Sequence, residues 1–526
     1  GDFYSNAVKS IATPFLFVLH LFVAGLVDFN MALFPIPEAI TSLNTRLAWG
    51  LFLIGTVVAR VVYRRYWTPI RDIPGPFWGS FSSLWVVAQL WKGHLEDETI
   101  QLHKKHGYFV RIRDNEVSVS HPDAVRQLLH ANIAKGPWYS IFSLPDYHYV
   151  NQMSELDPKR HIEKNRNVAS GYALSNIIKS EPFVNNVIKL FTKAMDEHAK
   201  TGKPFEFDKW FNFYAFDVLG EVTFSKSFGF VETGTDIGNA ISNTRALALY
   251  VAVMGHYTWL HNLTLGNPLL SRLGIQPSSH IFDTCLAAIS ARKENPEVRK
   301  DMMQQWLDMR AKYPDRMAES EIFGAAVANV GAGADTVSST MQSLFYFLIK
   351  HPSVLQRLRE EIDAAQARGE LSDVVQYSEA AKLPYLQACI KEVYRYHSAV
   401  PSPLPRVVPK GGVTIAGRYF PEGIILSVNP WVYHRNPALF GEDCNTFNPD
   451  RWLEGDTKKM ESFLIHWGAG YNQCPGRNLA HFEITKLSTT LVRDFEFELK
   501  NPNKEWEWTN HFTFVPWGWP CIISRR

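Results

Sequence analysis

The residue best suited to chemistry in this chain of 526 residues is Cys474, within the segment Trp467 to Arg477 (WGAGYNQCPGR). Small residues before the cysteine predict a turn, and Pro475 predicts the first position of a helix that runs from Asn478 to about Arg493. A cysteine at a helix N-terminus meets unpaired N–H groups and the positive end of the helix dipole. Both favour the thiolate, so the segment predicts a reactive sulfur.

Two glycines in the same segment, Gly470 and Gly476, leave room for a large flat group against the backbone. A thiolate held there can ligate a soft metal or a haem iron, or act as a nucleophile. A buried structural cysteine is the remaining alternative, because free cysteine is often buried. The segment alone does not decide among these three.

A second cluster lies in a long apolar stretch, roughly Ala318 to Lys350, that predicts one helix. Glycine in a helix interior costs about 0.5–1 kcal/mol relative to alanine. Gly331 and Gly333 therefore indicate either a face thin enough for a flat cofactor or a close crossing of two helices. Asp335 and Thr336 place a carboxylate and a hydroxyl beside them, a pair that can pass protons or hold a water. The lack of a βαβ pattern and of a third glycine excludes a dinucleotide fingerprint.

A third cluster comprises Glu392 and Arg395, on a helix predicted from about Leu386 to His397. Their i,i+3 spacing puts both side chains on one face. Exposed pairs of this kind contribute little to stability, but apolar neighbours indicate a buried pair whose hydrogen bonds must all be satisfied. Arg451, within Phe447 to Trp452, is a candidate third member.

Taken in order, these motifs closely resemble those of the cytochrome P-450 family, membrane-bound eukaryotic type. The segment around the cysteine most resembles that of filamentous-fungal members of specialised metabolism. The resemblance extends from Pro69 to the C-terminus. It implies a mainly α fold with a minor β region (α+β), and haem b (iron protoporphyrin IX) held by a cysteine thiolate.

Several roles follow from the resemblance, residue by residue. Cys474 is the expected iron ligand, with Trp467 covering the thiolate where the family usually has Phe. Asp335 and Thr336 are expected to deliver protons to dioxygen. The remaining positions expected in contact with oxygen or haem are Ala332, Gly333, Gly470 and Gly476. Glu392, Arg395 and Arg451 match a structural triad behind the haem.

The haem propionates require cations, and the resemblance places Arg406 there, with His161 and Arg166 on the helix ahead of Gly171. The family usually has Arg or His two residues before the cysteine, where this chain has Asn472. We therefore expect haem retention to depend unusually strongly on Arg406.

The resemblance implies a haem-thiolate monooxygenase that uses dioxygen to hydroxylate a lipophilic small molecule. Alternatives are a haem-thiolate isomerase, dehydratase or peroxide-using enzyme, and a haem sensor without turnover. None of these needs the Asp335–Thr336 pair, which favours the dioxygen route. No flavin or NAD-binding motif is visible, so electrons are expected from an NADPH-dependent flavoprotein reductase. Its acidic surface would meet a basic face formed by Lys458, Lys459, Arg477, Lys486, Lys159, Arg160, Lys164 and Arg166.

The elements that must position these residues begin with an apolar N-terminal region. Ile11 to Val27 and Leu47 to Ala59 are each near the length of a membrane span, and basic and aromatic residues follow the second. Residues 1–68 are therefore expected to anchor a catalytic domain at 69–526 on the cytoplasmic side of the endoplasmic reticulum membrane. Whether one or both runs span is open. Five cysteines without pairing motifs indicate a reducing compartment.

The body is predicted to be mostly helical, with one helix from Leu84 to His106 and a hairpin around Asp114 and Asn115. Further strands are predicted only near Val413 to Ala416 and Ile424 to Val428. A net charge of +2 gives no support for nucleic-acid binding. A medium-sized lipophilic substrate is expected to contact mostly apolar segments, namely Lys135–Tyr149, Phe228–Gly274, Val400–Leu404 and Thr513–Trp517.

Overall fold

A computed structural model of the chain describes residues 43–143, 148–264, 266–273, 280–295 and 299–526. The predicted apolar run from Ile11 to Val27 lies outside the described residues. Helix α1, Leu43–Tyr66, contains the second run, and Leu47–Tyr66 is long and apolar enough to cross a membrane. Its apolar side chains are exposed, in contrast to those of a core helix.

The body is dominated by helices. The remaining α-helices are α2 Leu84–Lys92, α3 Leu95–His106, α4 Pro158–Val168, α5 Leu174–Ile177, α6 Glu181–Thr201, α7 Phe207–Phe224, α8 Phe230–Thr233, α9 Ala240–Met254, α10 Thr258–Leu263, α11 Pro268–Arg272, α12 His280–Glu294, α13 Met302–Lys312, α14 Glu319–Lys350, α15 Pro352–Ala367, α16 Tyr377–Ala380, α17 Pro384–Tyr396, α18 Pro430–Tyr433, α19 Pro437–Phe440, α20 Thr457–Ser462 and α21 Arg477–Asp494. The strands are β1 Phe109–Arg113, β2 Glu116–Val119, β3 Leu404–Val407, β4 Val413–Ile415, β5 Arg418–Phe420, β6 Ile425–Val428, β7 Phe495–Leu499, β8 Glu507–Asn510, β9 Phe514–Trp517 and β10 Cys521–Arg525. This architecture confirms the predicted mainly α fold with a minor β region.

One sheet of four strands, in the order β1-β2-β6-β3, lies at the N-terminal side of the body. The predicted hairpin is confirmed, since β1 and β2 pair antiparallel around Asp114 and Asn115. The chain between α1 and this sheet is tied to it, because Arg111 N donates to Pro74 O at 2.8 Å. A Cβ at Gly75 would lie 2.1 Å from Arg111 O, so only glycine allows this approach.

The centre of the body is the crossing of α14 with α7. Leu219 on α7 touches Gly333, where an added Cβ would lie 3.0 Å from both δ carbons. Aromatic rings fill the space on either side, and Phe207 stacks on Phe211 and Phe345 with centroids 5.0 and 5.7 Å apart. The long helix is therefore held rigidly along its buried face.

Two predictions about local structure are wrong. The helix predicted from Leu84 to His106 is two helices, because Gly93 adopts a left-handed φ of 80° and ends α2. Strands also occur beyond the predicted positions, above all β7 and β10, which pair antiparallel. The alternation Phe-Glu-Phe-Glu-Leu in β7 was a usable signal, since Phe495 and Phe497 are buried there.

Candidate active site

The cysteine turn is seated by close backbone contacts. Gly470 has a φ of 63°, and a Cβ there would lie 2.2 Å from Leu129 O. The backbone conformation and the close contact each require glycine at this position. Cys474 N donates to Trp467 O at 2.7 Å and closes the turn. Helix α21 begins at Arg477, so Pro475 lies in the turn and not at the first helical position that the sequence predicted.

The thiol of Cys474 is half-buried at the N-terminus of α21. Burial raises its pKa, while the N–H groups of Gly476 and Arg477 and the Arg477 charge act in the opposite direction. The helix terminus thus favours the thiolate as expected, but the effect of burial is larger. A nearby positive charge, such as that of a coordinated cation, would reverse this balance.

The ring of Trp467 packs beside the turn. It meets Tyr394 of α17 edge-on, with centroids 5.1 Å apart, and His466 stacks on the same tyrosine at 4.3 Å. Tyr394 therefore fixes the turn against α17, the helix that carries Glu392 and Arg395.

The small residues of α14 face two different ways. Gly333 faces Leu219 of α7. This glycine therefore serves a close crossing of two helices, one of the two roles that the sequence allowed. An added Cβ at Gly331 would meet nothing within 4 Å, and Ala332 is exposed. Thr336, one turn beyond Ala332, is half-buried and donates its hydroxyl to Ala332 O at 2.9 Å. The open face of the helix is thus formed by Gly331, Ala332 and Thr336, without Gly333.

Asp335 lies beside that face and is buried. Burial raises the pKa of its carboxyl, and the charge of Arg245 on α9 partly opposes this rise. The carboxyl consequently keeps a proton to higher pH than an exposed aspartate.

Tyr172 joins α14 to the cysteine helix. Its hydroxyl donates to Asn329 Oδ1 at 3.1 Å, and its carbonyl accepts from Asn478 Nδ2 of α21 at 3.1 Å. Tyr172 therefore links the helix that carries the predicted proton-handling pair to the helix that follows the predicted metal ligand.

The predicted Glu392–Arg395–Arg451 cluster forms a buried ion network. Glu392 and Arg395 are both fully buried and make two hydrogen bonds, of 2.7 and 2.9 Å. Arg451 Nε donates to the same carboxylate at 3.2 Å, and Trp452 Nε1 does so at 2.9 Å.

The two guanidinium groups are satisfied as completely as the carboxylate. Arg395 donates to the carbonyl oxygens of His434, Cys444 and Thr446 at 2.7–3.0 Å. Arg451 donates to Phe440 O at 2.7 Å and pairs with Asp443 at 2.7 Å. Because the donors and acceptors of this network are already paired, it cannot bind a ligand. Its role is to hold α17 against residues 434–452, which precede the cysteine turn.

A second buried cluster differs from the ion network, because its cations have no carboxylate partner among the described residues. Arg406 on β3 and Lys135 are 2% and 4% exposed, and their backbones form an isolated antiparallel bridge. Lys135 Nζ donates to the carbonyl oxygens of Gln152 and Met153, each at 2.8 Å. Among the described residues no carboxylate lies within salt-bridge distance of either cation, and Arg406 Nε has no partner. Burial, with the Arg406 charge, lowers the pKa of Lys135 to about 7.

His161 of α4, one of the residues predicted to contact a propionate, lies in this cluster. It is buried, its Nε2 lies 3.1 Å from Tyr471 O, and its Nδ1 lies 3.3 Å from Lys135 Nζ. Burial and the Lys135 charge lower its pKa to about 4, so the ring is neutral at physiological pH. Asn472 lies in the same turn as Tyr471, and its two buried side-chain atoms have no partner among the described residues. The unpartnered atoms of Arg406 and Asn472 lie in this cluster, and we define the anion pocket by Lys135, His161, Arg406 and Asn472.

Arg166 does not join the anion pocket. Its side chain is exposed, and the residue before it, Asn165, faces the turn instead and donates to Tyr471 O at 3.3 Å. Conversely, Lys135 is a pocket residue that the sequence reasoning missed. Its type and its place at the start of the aromatic loop were visible, but nothing local indicated that it is buried.

The predicted basic face is smaller than expected. Lys486 is fully buried and pairs with Glu181 at 2.6 Å, and Lys164 is half-buried and pairs with Glu321. Both are therefore unsuited to docking a partner. The exposed members are Lys458, Lys459, Arg477, Lys159, Arg160 and Arg166.

A cavity of about 830 Å³, measured with its open side, is lined by Gly136 and Pro405, the chain neighbours of Lys135 and Arg406. Three of the four segments predicted to line a substrate pocket contribute to it, through residues such as Trp138, His256 and Pro403. From the fourth region only the neighbouring Phe512 lines it. Residues of α2 and the β1–β2 hairpin complete the wall and were not predicted.

Known proteins of a single family match the chain over nearly the whole of its body. The family model described as Cytochrome P450 matches residues 73–516. The chain is 32% identical over 482 residues to the cytochrome P450 monooxygenase gsfF of Penicillium aethiopicum, covering 89% of this chain and 96% of that protein. It is 32% identical over 493 residues to the cytochrome P450 monooxygenase cicH of Emericella nidulans, covering 90% and 96%. It is 30% identical over 504 residues to the pisatin demethylase of Fusarium vanettenii, covering 93% and 98%.

Proposed function

The chain belongs to the cytochrome P450 family of monooxygenases, and from this premise we propose that it hydroxylates a lipophilic small molecule in fungal specialised metabolism. Membership of this family implies a haem iron cofactor, and the named relatives are fungal oxidoreductases. The observation that carries the proposal is the joint placement of a cysteine at the N-terminus of α21, an open face on α14 and a buried anion pocket.

The residues present fit a haem group. Cys474 Sγ offers the iron ligand, and the open face at Gly331 and Ala332 leaves room on α14. The anion pocket supplies Arg406 and Lys135 for two propionate carboxylates, which removes the need for charge at Asn472. The unpartnered Arg406 Nε and the unpartnered Asn472 amide are the kind of buried polar atoms that a bound anionic group satisfies.

When bound, the haem iron supplies the activation of dioxygen with electrons delivered one at a time. The chain's own part is to hold protons beside the reacting centre. Burial raises the pKa of the Asp335 carboxyl, so that it holds a proton to higher pH than an exposed aspartate. Thr336 Oγ1 donates to Ala332 O while its lone pairs can still accept a second donor. This pair supports monooxygenation over an isomerase, a dehydratase, a peroxide-using enzyme or a sensor.

The partners follow from the same reasoning. We expect electrons from an NADPH-dependent flavoprotein reductase, docked near the exposed Lys458 and Lys459. Helix α1 supports anchoring in the endoplasmic reticulum membrane, with the catalytic domain at 69–526 on the cytoplasmic side. Exposed apolar residues of the body, including Trp78, Trp91 and Trp259, would then contact lipid.

The test is spectroscopic first and catalytic second. The full chain loaded with haem is expected to give a thiolate-type spectrum in the reduced, carbon monoxide-bound state. Cys474→Ser is expected to retain part of the haem and lose that spectrum. NADPH-dependent product formation with added reductase, across a panel of lipophilic metabolites, then separates a monooxygenase from the alternatives. A thiolate spectrum without any reductase-driven product would contradict the proposal.

A further inference from the structure

We propose that the cavity beside the anion pocket is a selection chamber for the substrate, in which His256 hydrogen-bonds one neutral polar group of a lipophilic molecule. The inference rests on the proposed function, which it deepens by assigning a site and a chemical class.

The cavity has the lining of a small-molecule site, since such sites are lined mainly by apolar and aromatic side chains. It measures about 830 Å³ with its open side included. Apolar walls come from Val86 and Leu90 of α2, Ile112 of β1 and Phe512. The outer sides of α2 and α10 carry exposed Trp91 and Trp259, 59% and 62% exposed, so an apolar surface lies beside the chamber. A lipophilic molecule is therefore favoured.

The chamber is closed off on one side by Trp138. A Cβ added to Gly255 would lie 2.2 Å from Trp138 Cδ1, so the indole lies directly on the backbone after α9. Trp138 also meets Phe142 and Phe512, with centroids 5.2 and 5.5 Å apart. Because Gly136 N donates to Pro405 O at 3.0 Å, the same loop forms the partition between the chamber and the anion pocket.

The polar groups in the wall carry no net charge. Arg113 pairs with Glu116 at 3.0 Å and also donates to Ser83 Oγ at 3.1 Å. His256 is neutral, since burial and the Arg113 charge lower the pKa of its ring well below the usual value. A carboxylate would find no unpaired cation there, whereas a phenol or carbonyl would be accepted.

His256 carries a buried polar atom that lacks a protein partner. Its ring lines the cavity, and its buried Nδ1 makes no hydrogen bond within the described residues. Nearby His261, in contrast, already receives the Tyr250 hydroxyl at 3.0 Å. A buried nitrogen without a partner is costly unless a ligand satisfies it, and such an atom discriminates strongly between molecules with and without the matching group.

Two near-isosteric probes test this reading: 4-phenylphenol, which carries a hydroxyl, and 4-methylbiphenyl, which carries a methyl group in its place. Their binding to the haem-loaded full chain is measured by equilibrium dialysis. We expect wild type to prefer the phenol by about tenfold. His256→Leu should reduce that preference to about twofold or less, and His256→Asn, whose amide can replace Nδ1, should retain most of it.

The site itself is tested by Thr258→Trp, which fills the chamber from a half-buried wall position and should weaken both probes at least about tenfold. His261→Leu is the matched control and should leave the preference unchanged. A preference that survives His256→Leu, or tight binding that survives Thr258→Trp, would overturn the inference. The carbon monoxide spectrum is recorded for every variant, so that failure of the haem site is distinguished from failure of the chamber.

Discussion

The ion network and the anion pocket both bury arginine, yet they differ in what surrounds the charge. In the ion network, Glu392 meets two guanidinium groups and every donor has an acceptor. In the anion pocket, Arg406 and Lys135 meet carbonyl oxygens and a neutral histidine, and among the described residues no carboxylate pairs with them. A buried charge with its partners holds the fold, whereas an unpaired buried charge indicates a ligand of opposite charge.

Removing the carboxylate of the ion network is expected to have the largest effect. Glu392→Ala would leave the buried Arg395 guanidinium without an anion and Arg451 with Asp443 alone. Losing one partner of a buried ion pair costs about 3–5 kcal/mol. We expect little folded protein, measured as soluble yield and by denaturant unfolding of what remains. The exposed pair of Arg368 and Glu370 provides the control, and Glu370→Ala should leave the unfolding midpoint unchanged. A stable Glu392→Ala protein would remove the contrast between the two clusters.

Removing a cation of the anion pocket should leave the fold intact and weaken the binding of haem. Arg406→Ala is expected to lower haem affinity at least about tenfold, because a charge-assisted hydrogen bond contributes roughly 1.5–3 kcal/mol. The measurements are haem content after purification and the rate of haem transfer to an acceptor protein. Arg418→Ala, at a partly exposed pair with Asp72, is the control. An Arg406→Ala protein with full haem content would show that the pocket does not hold the propionates.

The pH dependence of stability that we expect from Lys135 provides a further test of the anion pocket. Its pKa of about 7 in the folded apoprotein lies below the ordinary lysine value of 10.5. Between these values the unfolded chain holds a proton that the folded chain has lost, so the stability of the apoprotein should rise as pH increases from 7 to 10. The full effect is at most about 5 kcal/mol. Lys135→Met should flatten this rise in denaturant unfolding of the apoprotein while lowering haem affinity. If Lys135→Met leaves the slope of stability against pH unchanged, Lys135 is already paired with an anion in the apoprotein.

The same contrast between open and packed positions occurs within α14. Thr336 and Thr340 each donate to the carbonyl four residues earlier at 2.9 Å, but Thr340 is buried and Thr336 borders the open face. Thr336→Val is expected to lower the product formed per NADPH consumed at least about tenfold. Thr340→Val should leave this ratio unchanged. Equal ratios in the two variants would show that the Thr336 hydroxyl does not take part in proton delivery.

The smallest effect is expected at the surface. Reversing the charge of Lys458 and Lys459 to Glu should slow reductase-driven turnover a few-fold at low salt and spare peroxide-driven turnover, because exposed charges act mainly on association. The exposed Lys200 and Lys203 provide a matched double reversal. Equal losses in both assays would exclude a docking role.

Much of the candidate site was predictable because its motifs are local. The spacing of Glu392 and Arg395 fixes a shared helix face, and the predicted helix from Ala318 to Lys350 differs from α14 by one residue. Arg166 was misplaced for a related reason. One residue on a helix turns the side chain by about 100°, so Asn165 faces the turn and Arg166 faces solvent.

Residue types in a fixed order along the chain were enough to predict the family, the mainly α fold and Cys474 as the candidate iron ligand. Which glycine of α14 faces the open side, and which lysines are buried, depended on packing in the folded chain. Lys135 and Arg406 lie 271 positions apart in the chain and meet through a backbone bridge. Their shared need for an anion arises from burial without a paired acid, and burial is a property of packing that local sequence does not contain.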